Sequence, residues 1–128
     1  MQRTNLSTGA EWEDKVGYSR AVRIGQQIEV SGTVAIKDGK TAHPGDVYGQ
    51  TKRILEIITE SVVKLGGRRS DVIRTRIYVT DISLWREVGK AHGEYFTKIK
   101  PVTSMIEVSK LIDPDYLVEI EATAIINQ

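Results

Sequence analysis

Residues 71–81, DVIRTRIYVTD, alternate apolar and polar side chains and lie between two segments whose apolar residues recur at helical spacing. No other feature constrains the fold as strongly. Period-two alternation sends successive side chains to opposite faces of a strand, whereas a 3.6-residue period gathers them on one stripe of a helix. A strand held between two helices implies crossover connections, and crossovers imply some parallel pairing in the sheet.

The flanking segments can be bounded. Val47, Ile54, Leu55, Ile58, Val62 and Leu65 mark a helix over residues 46–65, and Gly66-Gly67 supplies its stop. A second helix is expected over residues 83–99, with Trp85, Val88, Tyr95, Phe96 and Ile99 on one face and Pro101 beyond its end. Gly89 and Gly93 fall inside it, each at a cost of about 1 kcal/mol relative to alanine. Their one-turn spacing predicts close packing against a sheet. Four further strands are expected over residues 18–24, 27–35, 102–109 and 116–126. Gly25-Gln26 joins the first two as a type II′ turn. The segment up to Gly17 reads as polar and irregular. The order is therefore ββαβαββ, a single α+β domain over residues 1–128 with one mixed sheet and two helices packed on one face.

Alternation sorts the strand residues into two faces. Ile28, Val30, Ile73, Thr75, Ile77, Val79, Val102, Ser104, Ile106, Val108, Val118, Ile120, Ala122 and Ala124 form the apolar face for the helices. Glu29, Ser31, Thr33, Arg74, Arg76, Tyr78, Thr103, Met105, Glu107, Leu117, Glu119, Glu121, Thr123 and Ile125 form the other. This second face mixes both charge signs with large apolar groups, as subunit interfaces do, so it is expected to be buried by copies of the same chain.

Composition narrows the function classes. A formal net charge of +1 leaves no basic footprint for nucleic acid. The chain has no cysteine, which removes disulfides, thiolate nucleophiles and cysteine-held metals together. Neither histidine has partners at metal-ligand spacing, so no metal and no cofactor are expected. The first 15 residues lack an apolar core and carry Glu11, Glu13 and Asp14, which argues against a signal peptide. No apolar run approaches the roughly 20 residues of a membrane span. A cytoplasmic protein is expected.

Four segments carry a resemblance to a known family: VGYSRAVRIGQQIEVSGTVAI, SDVIRTRIYVTDISLW, AHGEYF and KPVTSMIEVSKLIDPDYLVEIEATAI. In order and spacing they resemble the Rid family (YjgF/RidA-like, also called endoribonuclease L-PSP-like) over residues 16–126. The resemblance implies a chorismate-mutase-like fold and a homotrimer with small clefts between subunits. Family members with established activity hydrolyse reactive imines and enamines to a keto acid and ammonia. Their cleft holds a carboxylate-binding Arg, a water-associated Glu on the last strand, a Tyr near the first strand and a Ser on the second. The Glu, Tyr and Ser positions correspond to Glu119, Tyr18 and Ser31.

The Arg position corresponds to Thr103, because Pro-x-Arg-Ser is replaced here by Pro101-Val102-Thr103-Ser104. A guanidinium grips a carboxylate through two charged bonds, and a hydroxyl offers one neutral donor. The resemblance therefore points to a subgroup without the deaminase Arg. Glu119 would orient or deprotonate a water, or pair with Arg74 or Arg76 in a charge ladder, where Glu121 fits better. Tyr18, Ser31 and Thr103 would shape a substrate pocket, with Arg20, two residues from Tyr18, as a substitute anion binder. Trp12 would pack on a neighbour, His92 would be a half-buried packing residue and His43 a loop residue.

Three functions compete at this stage. The first is hydrolysis of an imine, enamine or related carbonyl metabolite in inter-subunit clefts. The second is a non-catalytic metabolite-binding or regulatory trimer. RNA cleavage comes third, because the charge is near neutral.

Overall fold

In the computed structural model, which describes residues 1–127, six strands form one sheet in the order β1-β2-β3-β8-β6-β7. The strands are β1 (Arg3–Leu6), β2 (Ala21–Ile24), β3 (Gln27–Thr33), β6 (Val72–Val79), β7 (Val102–Glu107) and β8 (Val118–Ile125). A short separate hairpin pairs β4 (Ile36–Lys37) with β5 (Lys40–Thr41). The helices are α1 (Glu11–Val16), α2 (Val47–Lys64) and α3 (Trp85–Phe96).

Neighbouring strands run antiparallel except β6 and β7, which are parallel and joined through α3. The crossover expected around residues 71–81 thus has its parallel partner. The β2–β3 turn also matches its sequence signal. Gly25 has φ +60° and Gln26 is not among the positive-φ residues, which is the type II′ pattern.

Both long helices cover one face. Asp46 caps α2 by accepting from the Gly49 amide, and Gly66 (φ +96°) ends the helical run as the Gly67 N–H returns to Val62 O. Ile54, Leu55, Ile58 and Val62 of α2 and Val88 and Phe96 of α3 are buried with Ile28, Ile77, Val79, Val118, Ile120, Ala122 and Ala124 of the sheet. β8 runs through the middle of the sheet, and its apolar stripe is the floor of this core.

Several expectations fail, each for a local reason. The N-terminal segment is not irregular: β1 pairs with β2, and Glu13 of α1 is buried. Its carboxylate accepts from the Ser7 hydroxyl (2.7 Å), the Thr8 amide and the Thr8 hydroxyl. Burial alone would raise the Glu13 pKa, but these bonds together hold it below the ordinary carboxylate value. Gly89 and Gly93 do not pack on the sheet, since a Cβ at Gly89 would meet nothing within 4 Å and one at Gly93 only Thr97. Trp85 is likewise exposed rather than part of the packed stripe.

Two bulges shift the strand faces. Register slips between Val72 and Arg74, so Val72 enters the core and Ile73 turns out of it. A second slip between Val30 and Thr33 buries Thr33, which alternation placed on the opposite face.

The largest correction concerns β7. Thr103 and Met105 pair with Thr75 and Ile77, which are buried on the helix side, whereas Val102, Ser104 and Ile106 pair with Arg74, Arg76 and Tyr78 on the other side. Its faces are thus the reverse of the sequence reading. As an edge strand, β7 leaves Val102 and Ile106 uncovered, so the rule that apolar means helix-side gives the wrong sign there. Leu117 and Met105 also pack against the core rather than on the open face.

Candidate functional site

The uncovered face presents Glu29 from β3, Arg74, Arg76 and Tyr78 from β6, and Glu119, Glu121 and Thr123 from β8. Its exposed apolar groups include Val102, Ile106 and Ile125. The charges are ordered in a ladder. Tyr78 donates to Glu121 Oε1 (2.9 Å), Arg76 Nε lies 3.7 Å from the same oxygen, and Thr123 donates to Glu29 (2.6 Å). The Tyr78 hydrogen bond to Glu121 raises the phenol pKa. Glu121 is therefore the ladder carboxylate, as the sequence suggested.

Glu119 stands apart. It pairs across the sheet with Tyr78, but its carboxylate takes part in none of the side-chain hydrogen bonds or ion pairs found among the described residues. Burial raises its pKa, Glu121 adds to the rise, and Arg20 opposes it. The carboxylate sits over Gly32, where an added Cβ would collide with Oε2 and come within 3.1 Å of Cδ. Glycine inside a strand marks such a close approach or a bulge, and Gly32 provides both. That was the available sequence signal for this seat.

Arg20 lies against the same spot. Its Nη2 donates to the Gly32 carbonyl (2.8 Å) and to Thr33 Oγ1 (3.0 Å), while its buried Nε has no partner among the described residues. Burial pulls the guanidinium below its ordinary value, and Tyr18, Glu13 and Glu119 pull the other way. Arg20 is thus tied through Nη2 to the bulged strand beside Glu119.

Tyr18 and Ser31 meet in a hollow of about 300 Å³ lined also by Val22, Glu29, Arg76 and Glu121. The Ser31 hydroxyl donates to the Ser19 carbonyl, which ties the two segments together. Thr103 is not in this group. It belongs to the helix side, 2.8 Å from Thr75 Oγ1, so the expected shared face with Glu119 and Ser31 does not exist within one chain. His92 is the half-buried packing residue expected, its ring 4.8 Å from Phe96, and burial lowers its pKa. His43 lies in a turn with φ +52°. Trp12 is exposed beneath the Lys15 ammonium.

Gly32→Ala tests the seat directly. The Cβ has no room while Glu119 holds its position, and a side-chain end moves more easily than backbone. The variant is expected to fold while losing the activity that depends on Glu119. A crystal structure with Glu119 unmoved would disprove the steric argument.

A mixed sheet with helices on one face and a charged, partly apolar opposite face defines an α+β protein built on one six-stranded sheet. The family model for Endoribonuclease L-PSP matches residues 8–126. The chain belongs to this family, which also takes in the YjgF, RutC and Rid proteins. A RutC family protein of Pyrococcus abyssi is 35% identical over 109 residues, covering 84% of each chain. A crystal structure of a Mycobacterium tuberculosis member of the YjgF/YER057c/UK114 family is 51% identical, with TM-score 0.89, over 98% of this chain and 100% of that one. A Rid family protein of Yersinia pestis is 26% identical, with TM-score 0.84, over 98% and 100%. Among the described residues no helix is long and apolar enough to cross a membrane, and no group of three or more His, Cys, Asp or Glu could hold a metal ion.

Proposed function

We propose that the chain is a Rid-type hydrolase of reactive imines or enamines, working as a homotrimer in the cytoplasm with its clefts between subunits. The observation that carries this reading is Glu119: a half-buried carboxylate with a raised pKa and no partner among the described residues, seated by Gly32 next to Ser31 of the hollow. A structural carboxylate is normally paired; one left free and pushed toward neutrality suits proton transfer. Glu119 takes a proton from water as the water oxygen adds to the C=N carbon, and passes that proton to the nitrogen, which gives a carbinolamine and restores the carboxylate. Collapse of the carbinolamine breaks the C–N bond, leaving a carbonyl compound and ammonia. One imine and one water are consumed in each turnover.

The open face supports assembly. Exposed Val102, Ile106 and Ile125 among ion pairs form a surface that a second and third copy would cover. Thr103 lies on the helix side of the edge strand, so it would meet a neighbour's Glu119 and Ser31 only where that edge borders a second copy. Light scattering on the eluting protein is expected to give three times the 14.3 kDa chain mass, and a clean monomer would end this reading.

Ammonia release from a freshly generated imino acid tests the chemistry. A second reading has its own observation: Arg20 spends Nη2 on the Gly32 carbonyl and Thr33 Oγ1, which leaves less of the guanidinium to grip an anion. A metabolite-binding trimer would show ligand-induced stabilisation with no ammonia. The RNA cleavage suggested by the family's description would show as fragments of a single-stranded RNA.

A further inference from the structure

A line of polar side chains crosses the helix side of the sheet, away from Glu119. His92 Nε2 lies 2.9 Å from Thr75 Oγ1, and Thr75 Oγ1 lies 2.8 Å from Thr103 Oγ1. Thr103 Oγ1 in turn donates to the Pro101 carbonyl at 3.3 Å. Thr75 is fully buried on β6, His92 is half-buried on α3, and Thr103 is exposed on the edge strand β7. The line therefore runs from the interior to an open edge.

Hydrogen counting fixes its direction. Each hydroxyl has one hydrogen to give, and a carbonyl only accepts. If Nε2 carries a hydrogen, His92 donates to Thr75, Thr75 to Thr103, and Thr103 keeps its hydrogen for Pro101 O. If Nε2 is bare, Thr103 donates inward, Thr75 donates to His92, and nothing remains for Pro101 O. Only the first direction makes all three contacts. Its last bond is the longest and the most exposed, so that hydrogen transfers most readily to another acceptor.

We propose that His92 is a positioning residue that, through Thr75, holds the Thr103 hydroxyl as an outward donor for a carboxylate or carbonyl oxygen of a bound metabolite. A bare threonine hydroxyl rotates freely; this one is directed. Protonating His92 does not reverse the line, because an imidazolium also donates from Nε2. Only the neutral tautomer with its hydrogen on Nδ1 does. The ligand class rests on the hydrolase reading, whereas the direction of the line does not.

Nitrogen NMR of protein labelled with ¹⁵N-histidine reads the tautomer, and the chain has only His43 and His92 to assign. His92 is expected to carry its hydrogen on Nε2 at neutral pH, and Thr75→Val is expected to weaken that preference. Pyruvate, a keto acid of the product class, serves as the binding probe. Thr103→Val and His92→Phe should each weaken it roughly 3–10-fold, the worth of one neutral hydrogen bond, with no further loss in the double variant. His92→Gln, which keeps an amide donor at its own Nε2, should bind like the wild type. A bare Nε2, additive losses, or His92→Gln behaving like His92→Phe would each overturn the relay. Absence of wild-type pyruvate binding would overturn the ligand class. Should His92→Phe fail to fold, the wild-type tautomer and Thr75→Val still decide. A protein that releases no ammonia yet shows the Nε2 hydrogen would refute the hydrolase and keep the relay; a bare Nε2 would do the reverse.

Discussion

Glu119→Gln is expected to lower imine turnover by about 10²–10⁴-fold, the usual worth of a positioned general acid–base group, while the protein stays folded. Glutamine keeps the shape and the contact with Gly32 but cannot exchange a proton with water. Stability should move the other way from activity. The folded-state pKa of Glu119 is raised, first by burial and then by Glu121. Its contribution to stability is therefore fully present below the unfolded pKa of about 4.3 and is lost as pH rises through the higher folded value. The wild type carries a penalty near neutral pH that Gln removes. Urea denaturation should show the variant gaining on the wild type as pH rises above the unfolded value of about 4.3. An unchanged hydrolysis rate would exclude Glu119 from the chemistry, and an unchanged stability difference across that range would contradict its raised pKa.

Ile120→Ala carries the largest expected cost in stability, about 2–5 kcal/mol. Ile120 is fully buried on β8, which lies between β3 and β6, and it packs in the core under the helices. Truncation removes its transfer energy and leaves a cavity that three paired strands cannot close. The same strand carries Glu119 on its opposite face, so the site and the core share one backbone. Ile112→Ala is the control, since Ile112 is 93% exposed and its truncation should stay within about 0.5 kcal/mol. Equal urea midpoints for the two variants would show that β8 is not the core floor.

The open-face ladder shows how much of the site was legible. Glu119 and Glu121 sit two apart on one strand, and alternation correctly put both beside Arg76 and Tyr78. Alternation by itself could not tell which carboxylate is paired; the family resemblance was what favoured Glu121 for the ladder. The pairing depends on the reach of Arg76 and Tyr78 toward Glu121, and on Gly32 making room for Glu119. Arg20 was read as a substitute anion binder, and strand position says nothing of the bulged carbonyl that takes its Nη2. Glu13 was passed over because its partners, Ser7 and Thr8, become a carboxylate cradle only once α1 folds back on them.

Periodicity, which is local to each element, determined without any structure the ββαβαββ framework, the crossover around residues 71–81 and the apolar stripe of β8, but not β1, α1 or the β4–β5 hairpin. Tertiary structure alone decided which side Thr103 faces. On the edge strand β7, orientation comes from parallel register with Thr75 and Ile77, not from its own pattern of apolar residues. The bulges at Val30/Thr33 and Val72/Arg74 belong to the same class, since one inserted residue reverses every side chain beyond it. A strand's alternation names two faces; only its neighbour says which is which.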